Sequence, residues 1–211
     1  MQFASFHLDP RILSAVRALG WETPTEIQRQ AIPPALTGRD VMGLAQTGTG
    51  KTAAFLLPIV QRLLDGPRGR VRALIVAPTR ELAEQILQTA NALGRPLGLR
   101  SITIYGGVGA NPQVAALRAG VDLVVACPGR LLDHVSQKTI DLSRVETLVL
   151  DEADRMFDMG FLPDVRRIIR ALPERRQTLL FAATMPDDIR ALADVIQQAP
   201  RTGHHDLRAG A

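Results

Sequence analysis

Cysteine occurs once in this 211-residue chain, at Cys127. No intramolecular disulfide can hold the fold, and a reducing compartment is expected. Lysine is nearly absent: Lys51 and Lys138 stand against 23 arginines. That imbalance reads as genomic base composition, and only the placing of Lys51 looks deliberate. Long apolar runs are missing too, since 73–77 and 179–183 fall far short of the roughly 20 residues a spanning helix needs. No membrane span is expected. The opening Met1-Gln2-Phe3-Ala4-Ser5 has no basic residue and leads into no apolar run, which does not support a secretory signal. Internal repeats and low-complexity tracts are also lacking. What remains is ordinary globular composition, 46% hydrophobic and 22% charged, enough for one domain with a normal core. The net charge of +4 is compatible with a polyanionic partner without demanding one.

Short β-rich runs at 40–45, 72–77, 100–104, 122–126, 146–150 and 177–182 alternate with segments of helical period at 51–64, 79–93, 113–119, 130–136, 162–171 and 186–197. Strand then helix, repeated, predicts an α/β three-layer sandwich with a mainly parallel sheet. Leu74-Ile75-Val76 and Leu123-Val124-Val125 are continuously apolar, as strands covered on both faces must be. Two further helices, 10–19 and 25–36, precede the first strand; Gly20 can end one and Pro24 can open the other. The spacing therefore predicts a helical preface over 1–38, one lobe over 39–199, and a disordered tail over 200–211, where apolar period is lost. His204 and His205 in that tail have no further ligands nearby and read as solvated.

The first chemical signal is Ala45-Gln46-Thr47-Gly48-Thr49-Gly50-Lys51-Thr52, directly after a predicted strand and before a predicted helix. This is the setting of a phosphate-binding loop: glycines let consecutive N–H groups and a helix N-terminus face phosphate oxygens. Lys51 would reach the β and γ phosphates and the Thr52 hydroxyl would hold Mg²⁺. Ala45 replaces the usual first glycine. The second signal is Asp151-Glu152-Ala153-Asp154, at the end of the apolar run 147–150. There Asp151 is placed to bind the metal and Glu152 to orient and deprotonate water.

These motifs together resemble the first RecA-like lobe of a DEAD-box ATP-dependent RNA helicase, over about residues 3–198. Gly20-Trp21-Glu22-Thr23-Pro24-Thr25-Glu26-Ile27-Gln28 resembles the family's Q motif. The resemblance implies that Gln28 reads the adenine edge and Phe3 packs by the base; an amide suits adenine's paired donor and acceptor. It further implies ATP and Mg²⁺ as cofactors. Pro78-Thr79-Arg80, Gly106-Gly107 and Cys127-Pro128-Gly129-Arg130 match loops that grip the sugar-phosphate backbone of RNA in the family. Binding should then be sequence-independent and salt-sensitive. Ala182-Ala183-Thr184 stands where the family has Ser-Ala-Thr, thought to couple hydrolysis to RNA release through contact with the acidic tetrapeptide at Asp154.

Two substitutions depart from the pattern. Cys127 replaces a threonine, which predicts a slightly looser RNA grip unless backbone N–H groups suffice. Ala182 replaces a serine, which puts coupling in doubt. The family also has a second RecA-like lobe with arginine fingers, and such fingers are worth about 10³ to 10⁵ in kcat. Without that lobe the expectation is ATP binding with very slow hydrolysis and no strand separation. The resemblance implies a cytoplasmic protein. Two rival readings stand beside it: a catalytically silent module that holds ATP or RNA, and a phosphate-loop ATPase acting on DNA or protein. Trp21 can cover the nucleotide edge or pack the preface helices, while His7 and His134 have no catalytic partner by spacing. Met156, Phe157, Met159 and Phe161 read as packing, and Arg166, Arg167, Arg170, Arg175 and Arg176 as a solvated helix face.

Overall fold

The computed structural model describes residues 2–197 and 205–208. A short turn of 3-10 helix at Phe3–Phe6 leads into α1 (Pro10–Ala18) and α2 (Glu26–Leu36). Strand and helix then alternate: β1 (Val41–Leu44), α3 (Lys51–Leu64), β2 (Ala73–Val76), α4 (Arg80–Gly94), β3 (Ser101–Ile104), α5 (Asn111–Ala119), β4 (Leu123–Ala126) and α6 (Pro128–Ser136). The chain continues through β5 (Thr147–Leu150), α7 (Ala153–Asp158), α8 (Leu162–Arg170), β6 (Gln177–Ala182), α9 (Asp187–Gln197) and β7 (His205–Arg208). The strands lie in the order β3-β4-β2-β5-β6-β1-β7, and every pairing is parallel.

Because side chains alternate along a strand, the central strands feed two cores. Ile75, Val125, Val149, Leu179 and Phe181 face one side, with Ile12, Ile27, Phe55 and Ile86 from the helices. Leu74, Val76, Val124, Leu148 and Leu180 face the other, with Leu131, Ile168 and Leu192. This is the expected three-layer arrangement. The preface helices share the first core with α3, so they are built into the lobe.

Two expectations are corrected. The region read as a disordered tail contains β7, which pairs with β1 from Val41↔His205 to Leu44↔Arg208; a lone four-residue edge strand carries too little pattern to separate it from coil. The remainder of that tail, residues 200–204 and 209–211, lies outside the described residues, as do 198 and 199. Pro24 does not open α2; Thr25 caps it, with Gln28 Oε1 accepting the Thr25 N–H at 3.0 Å.

Parallel pairing puts all carboxyl ends of the strands along one edge, where the intervening loops collect. The opposite edge is closed by polar locks. Asp122 is buried and accepts the N–H groups of Gly69 and Arg100 at 2.7 and 2.9 Å. Arg72 donates to both carboxylate oxygens of Glu146, at 2.7 and 3.1 Å. Gln177 Nε2 donates to the carbonyls of Ala35 and Arg39, tying the end of α2 to β6.

Gly43 on β1 stands opposite Phe181 on β6, and the Phe181 ring covers it: a Cβ there would sit 2.7 Å from two ring carbons. Gly43→Ala is expected to destabilise the fold by about 1–3 kcal/mol, read as a lower urea midpoint. Combined with Phe181→Leu, the loss should be smaller than the sum of the two single losses; strict additivity would contradict the contact.

Candidate functional site

Residues 45–50 connect β1 to α3 at the carboxyl edge. Gly48 and Gly50 have φ of +87° and +95°, and Gly50 is the residue that caps α3. A Cβ at Gly50 would fall 2.5 Å from Gln28 Nε2 and 2.8 Å from Thr25 Oγ1, so glycine is required there by conformation and by space. Within the loop, the Thr49 hydroxyl donates to the Gln46 carbonyl at 2.7 Å. Gln46, Thr47 and Gly48 are exposed, whereas Lys51 is 6% exposed. Its Nζ has no hydrogen-bond partner and lies 3.7 Å from Asp151 Oδ1, near enough to pair in charge and too far to bond. A buried ammonium normally has its protons satisfied. Here they await an acceptor, beside the free N–H groups at the start of α3.

β5 brings the acidic tetrapeptide to the same place. Asp151 is buried, and desolvation pushes its carboxyl up to about 6 against the pull of Lys51; the neighbouring charge of Glu152 adds to the rise. Glu152 has a left-handed backbone, φ +51°, unusual for a residue with a side chain. Both its carboxylate oxygens are held: the Thr47 hydroxyl donates to Oε1 at 3.0 Å, and Arg155 Nη1 donates to Oε2 at 3.2 Å. Thr47 and Glu152 are 105 residues apart in the chain, so this bond joins the two motifs directly. Sequence reading passed over Arg155, whose i+3 spacing from Glu152 was the available signal.

Asp154 Oδ2 accepts three bonds, from the N–H of Ala183 at 3.1 Å, the N–H of Thr184 at 2.8 Å and the Thr184 hydroxyl at 2.9 Å. The link between tetrapeptide and the 182–184 segment therefore forms without a serine at Ala182, which is itself fully buried. Gln28 is also buried, and both ends of its amide are engaged: Nε2 donates to the Gly50 carbonyl at 3.1 Å while Oε1 takes the Thr25 N–H. It lies against the loop 45–50. Phe3, expected beside a base, is 4% exposed in the first core, stacked on Trp21 with centroids 6.3 Å apart and edge-on to Phe6. Trp21 thus packs the preface.

The other half of the carboxyl edge, above β2, β4 and β3, carries the remaining residues singled out. Pro78 is buried, Thr79 caps α4 by accepting the Leu82 N–H at 3.3 Å, and Arg80 is exposed over the Tyr105 ring at 4.9 Å. Gly107 is exposed with φ +78°, and beside it Gly106 is half-buried. Arg80 Nη1 would lie 3.0 Å from a Cβ on Gly107. Cys127 caps α6 without a side-chain hydrogen bond, and burial pushes its thiol up to about 11, so it is neutral at pH 7. Pro128 starts α6, Gly129 is exposed with open space around it, and Arg130 Nη1 donates to the Val108 carbonyl at 3.0 Å. The segment around Gly106-Gly107 therefore touches both other loops, through Arg80 on one side and Arg130 on the other.

The donors fit a triphosphate: an unpartnered buried ammonium, two left-handed glycines and a helix start. For a metal, Thr52 in the first turn of α3 and Asp151 offer one oxygen each. No group of three or more metal-binding side chains occurs among the described residues, so a Mg²⁺ here would draw further ligands from phosphate and water, as that ion commonly does. No helix among the described residues is long and apolar enough to cross a membrane.

The family described as DEAD/DEAH box helicase matches residues 25–192. The chain is 46% identical over 199 residues to the ATP-dependent RNA helicase CshA of Listeria monocytogenes, and 46% identical over 200 residues to the DEAD-box ATP-dependent RNA helicase CshA of Streptococcus pneumoniae. Those matches cover 94% and 95% of this chain and 38% of each relative, so the chain spans little more than a third of their length. Among solved structures, a DEAD box protein from Methanococcus jannaschii superposes with a TM-score of 0.92 at 37% identity, covering all of this chain and 56% of that one.

The Asp151 carboxyl titrates near 6 in this account, above its ordinary 3.8. Its ionisation therefore costs stability as pH rises from about 4 to 6, and the cost is constant above that range. Carbon-13 titration of the carboxyl should give that midpoint, and Lys51→Met should raise it, because the ammonium is what opposes burial. A lower midpoint in the variant would contradict the pairing.

Proposed function

Because this chain belongs to the DEAD/DEAH box helicase family, we propose that it is the first RecA-like lobe of an ATP-dependent RNA helicase, binding Mg-ATP on one half of its carboxyl edge and the RNA backbone on the other. The observation that carries the reading is Lys51: a buried ammonium without a hydrogen bond, at the start of a helix, beside a buried carboxylate. Few ligands answer such a group better than a phosphate chain, whose oxygens also accept N–H groups of the loop and helix.

Bound Mg-ATP would supply the transferable γ-phosphoryl group and a cation that spreads its charge. The lobe's own residues supply the rest. Lys51 and the N–H groups of residues 48–52 bind phosphate, while Thr52 and Asp151 hold the metal. Glu152 orients water and accepts its proton, positioned by Thr47. Gln28 meets adenine with the second N–H and the second lone pair of its amide, and through its bond to Gly50 links base recognition to the phosphate loop. Phe3 acts from the core, shaping the preface that carries Gln28. Asp154, bonded to Ala183 and Thr184, transmits changes at the metal site to the segment after β6.

Pro78, Thr79, Arg80, Gly106, Gly107, Pro128, Gly129 and Arg130 form the RNA half. Contacts from backbone N–H groups and arginine to phosphate read no bases, so binding is sequence-independent and weakened by salt. Cys127, neutral and uncapped, contributes its backbone. Unwinding belongs to the two-lobed assembly, in which a second lobe completes the ATP site. A cytoplasmic location accords with this role.

Competition against a fluorescent ATP analogue tests the adenine assignment. ATP should displace it at least about tenfold better than GTP, the discrimination expected when a polar site meets the wrong edge, and Gln28→Ala should narrow that difference. Equal affinities in the unmutated chain would overturn it. Glu152→Gln should retain nucleotide binding and bring any turnover to background, whereas undiminished turnover would remove Glu152 from the chemistry.

A further inference from the structure

A buried polar relay runs through the RNA half of the lobe. His134, in the last turn of α6, is 1% exposed, and both ring nitrogens are engaged: Nε2 lies 2.9 Å from Gln113 Oε1 and Nδ1 lies 2.7 Å from Thr139 Oγ1. Gln113, itself buried on α5, donates from Nε2 to the Tyr105 carbonyl at 3.0 Å. That donation fixes the amide, so Oε1 faces His134 and accepts its Nε2–H; the Thr139 hydroxyl proton then lies between the His134 carbonyl at 3.2 Å and the lone pair of Nδ1 at 2.7 Å, and the shorter contact favours Nδ1. Burial, reinforced by the positive charge of Arg130, holds His134 below its usual pKa and so favours the neutral ring this arrangement needs.

The relay ends immediately before Gly106-Gly107. On the far side of the paired glycines, Arg130 of the same helix donates to the Val108 carbonyl. Arg130 and His134 are one helical turn apart, so α6 holds the turn on both flanks, once directly and once through Gln113. The start of α6 is itself the Pro128-Gly129 loop, and the Tyr105 ring carries Arg80. Tyr105 is thus where three phosphate-facing loops meet.

We propose that His134 and Gln113 are positioning residues for RNA binding: their buried relay fixes the Tyr105 carbonyl and thereby sets the spacing of the 106–107 turn relative to the α6 N-terminus and Arg80. This rests on the RNA reading of the face given above. Two glycines have no side chains to hold them, and backbone donors that grip successive phosphates must keep a fixed separation. A lone histidine on an otherwise apolar helix face and a glutamine on α5 meet that need from inside the fold.

The experiment uses the chain as it stands, with fluorescein-labelled single-stranded RNA, a fluorescent ATP analogue and amide hydrogen exchange. Gln113→Leu and His134→Leu should each weaken RNA binding by about three- to tenfold, the span of one lost hydrogen bond. The double variant should be no weaker than the worse single one. Nucleotide affinity should stay within about twofold in all of them, while exchange at residues 106–108 accelerates. His134→Gln, which can still donate to Gln113 and accept from Thr139, should restore RNA affinity, a rescue that mere packing would not give. If Leu at the buried His134 prevents folding, Gln113→Leu and His134→Gln carry the test alone. Unchanged RNA affinity in Gln113→Leu, additive losses, or a parallel fall in nucleotide affinity would overturn the proposal. An unmutated chain that binds no RNA would sink the RNA reading and this proposal with it; an unmutated chain that binds, with indifferent variants, sinks the relay alone.

Discussion

A buried ammonium facing a buried carboxylate across 3.7 Å, with no hydrogen bond of its own, is the constraint around which the lobe is arranged. The desolvation of two such charges costs several kcal/mol each, and an ion pair of this length recovers only part of that. The sheet must therefore be strong enough to hold Lys51 and Asp151 in place. It is: β1, β6 and β5 are adjacent, parallel and covered on both faces, so the ends of β1 and β5 cannot drift apart without opening both cores. The strain at Glu152 belongs to the same arrangement, since its left-handed backbone is over-determined by Thr47 on one side and Arg155 on the other.

From that pair the functional edge divides cleanly. The residues proposed to face nucleotide follow β1, β5 and β6, and those proposed to face RNA follow β2, β3 and β4, because the strand order separates these triplets. Asp154, in the first turn of α7, ties that helix to the segment after β6 by three bonds. The missing serine at Ala182 matters less than its hydroxyl would suggest, since backbone N–H groups and the Thr184 hydroxyl carry the contact. On the other half, α6 is bonded to the segment around Gly106-Gly107 through Arg130 directly and through His134 and Gln113.

Much of this was legible in the sequence, for reasons that are local. The loop 45–52 advertises itself because only glycine tolerates Gly48 and Gly50, and the apolar runs of the central strands can only be buried from both sides. What escaped reading is non-local. Strand order is set by pairing between distant segments, and β7 has too few residues and too little pattern to declare itself. The packing of Phe3 against Trp21 and Phe6 joins separate segments and could not be read from its position. The bonds of Gln28 to Thr25 and Gly50 are likewise visible only in the fold. His134 and Gln113 are 21 residues apart, and nothing in either neighbourhood reveals that one will bond the other.

The central claim, that Lys51 is kept unsatisfied for a phosphate, is tested most directly by thermal unfolding with and without Mg-ATP. A ligand that binds only the folded chain stabilises it by about 2.7 kcal/mol at a hundredfold excess over Kd, so Mg-ATP should raise the midpoint of the unmutated lobe by several degrees. Lys51→Met should unfold no lower than the unmutated lobe without nucleotide, since it removes an unsatisfied buried charge and lets Asp151 take up a proton, and Mg-ATP should no longer move it. An equal shift in both proteins, or none in the unmutated one, would contradict the account.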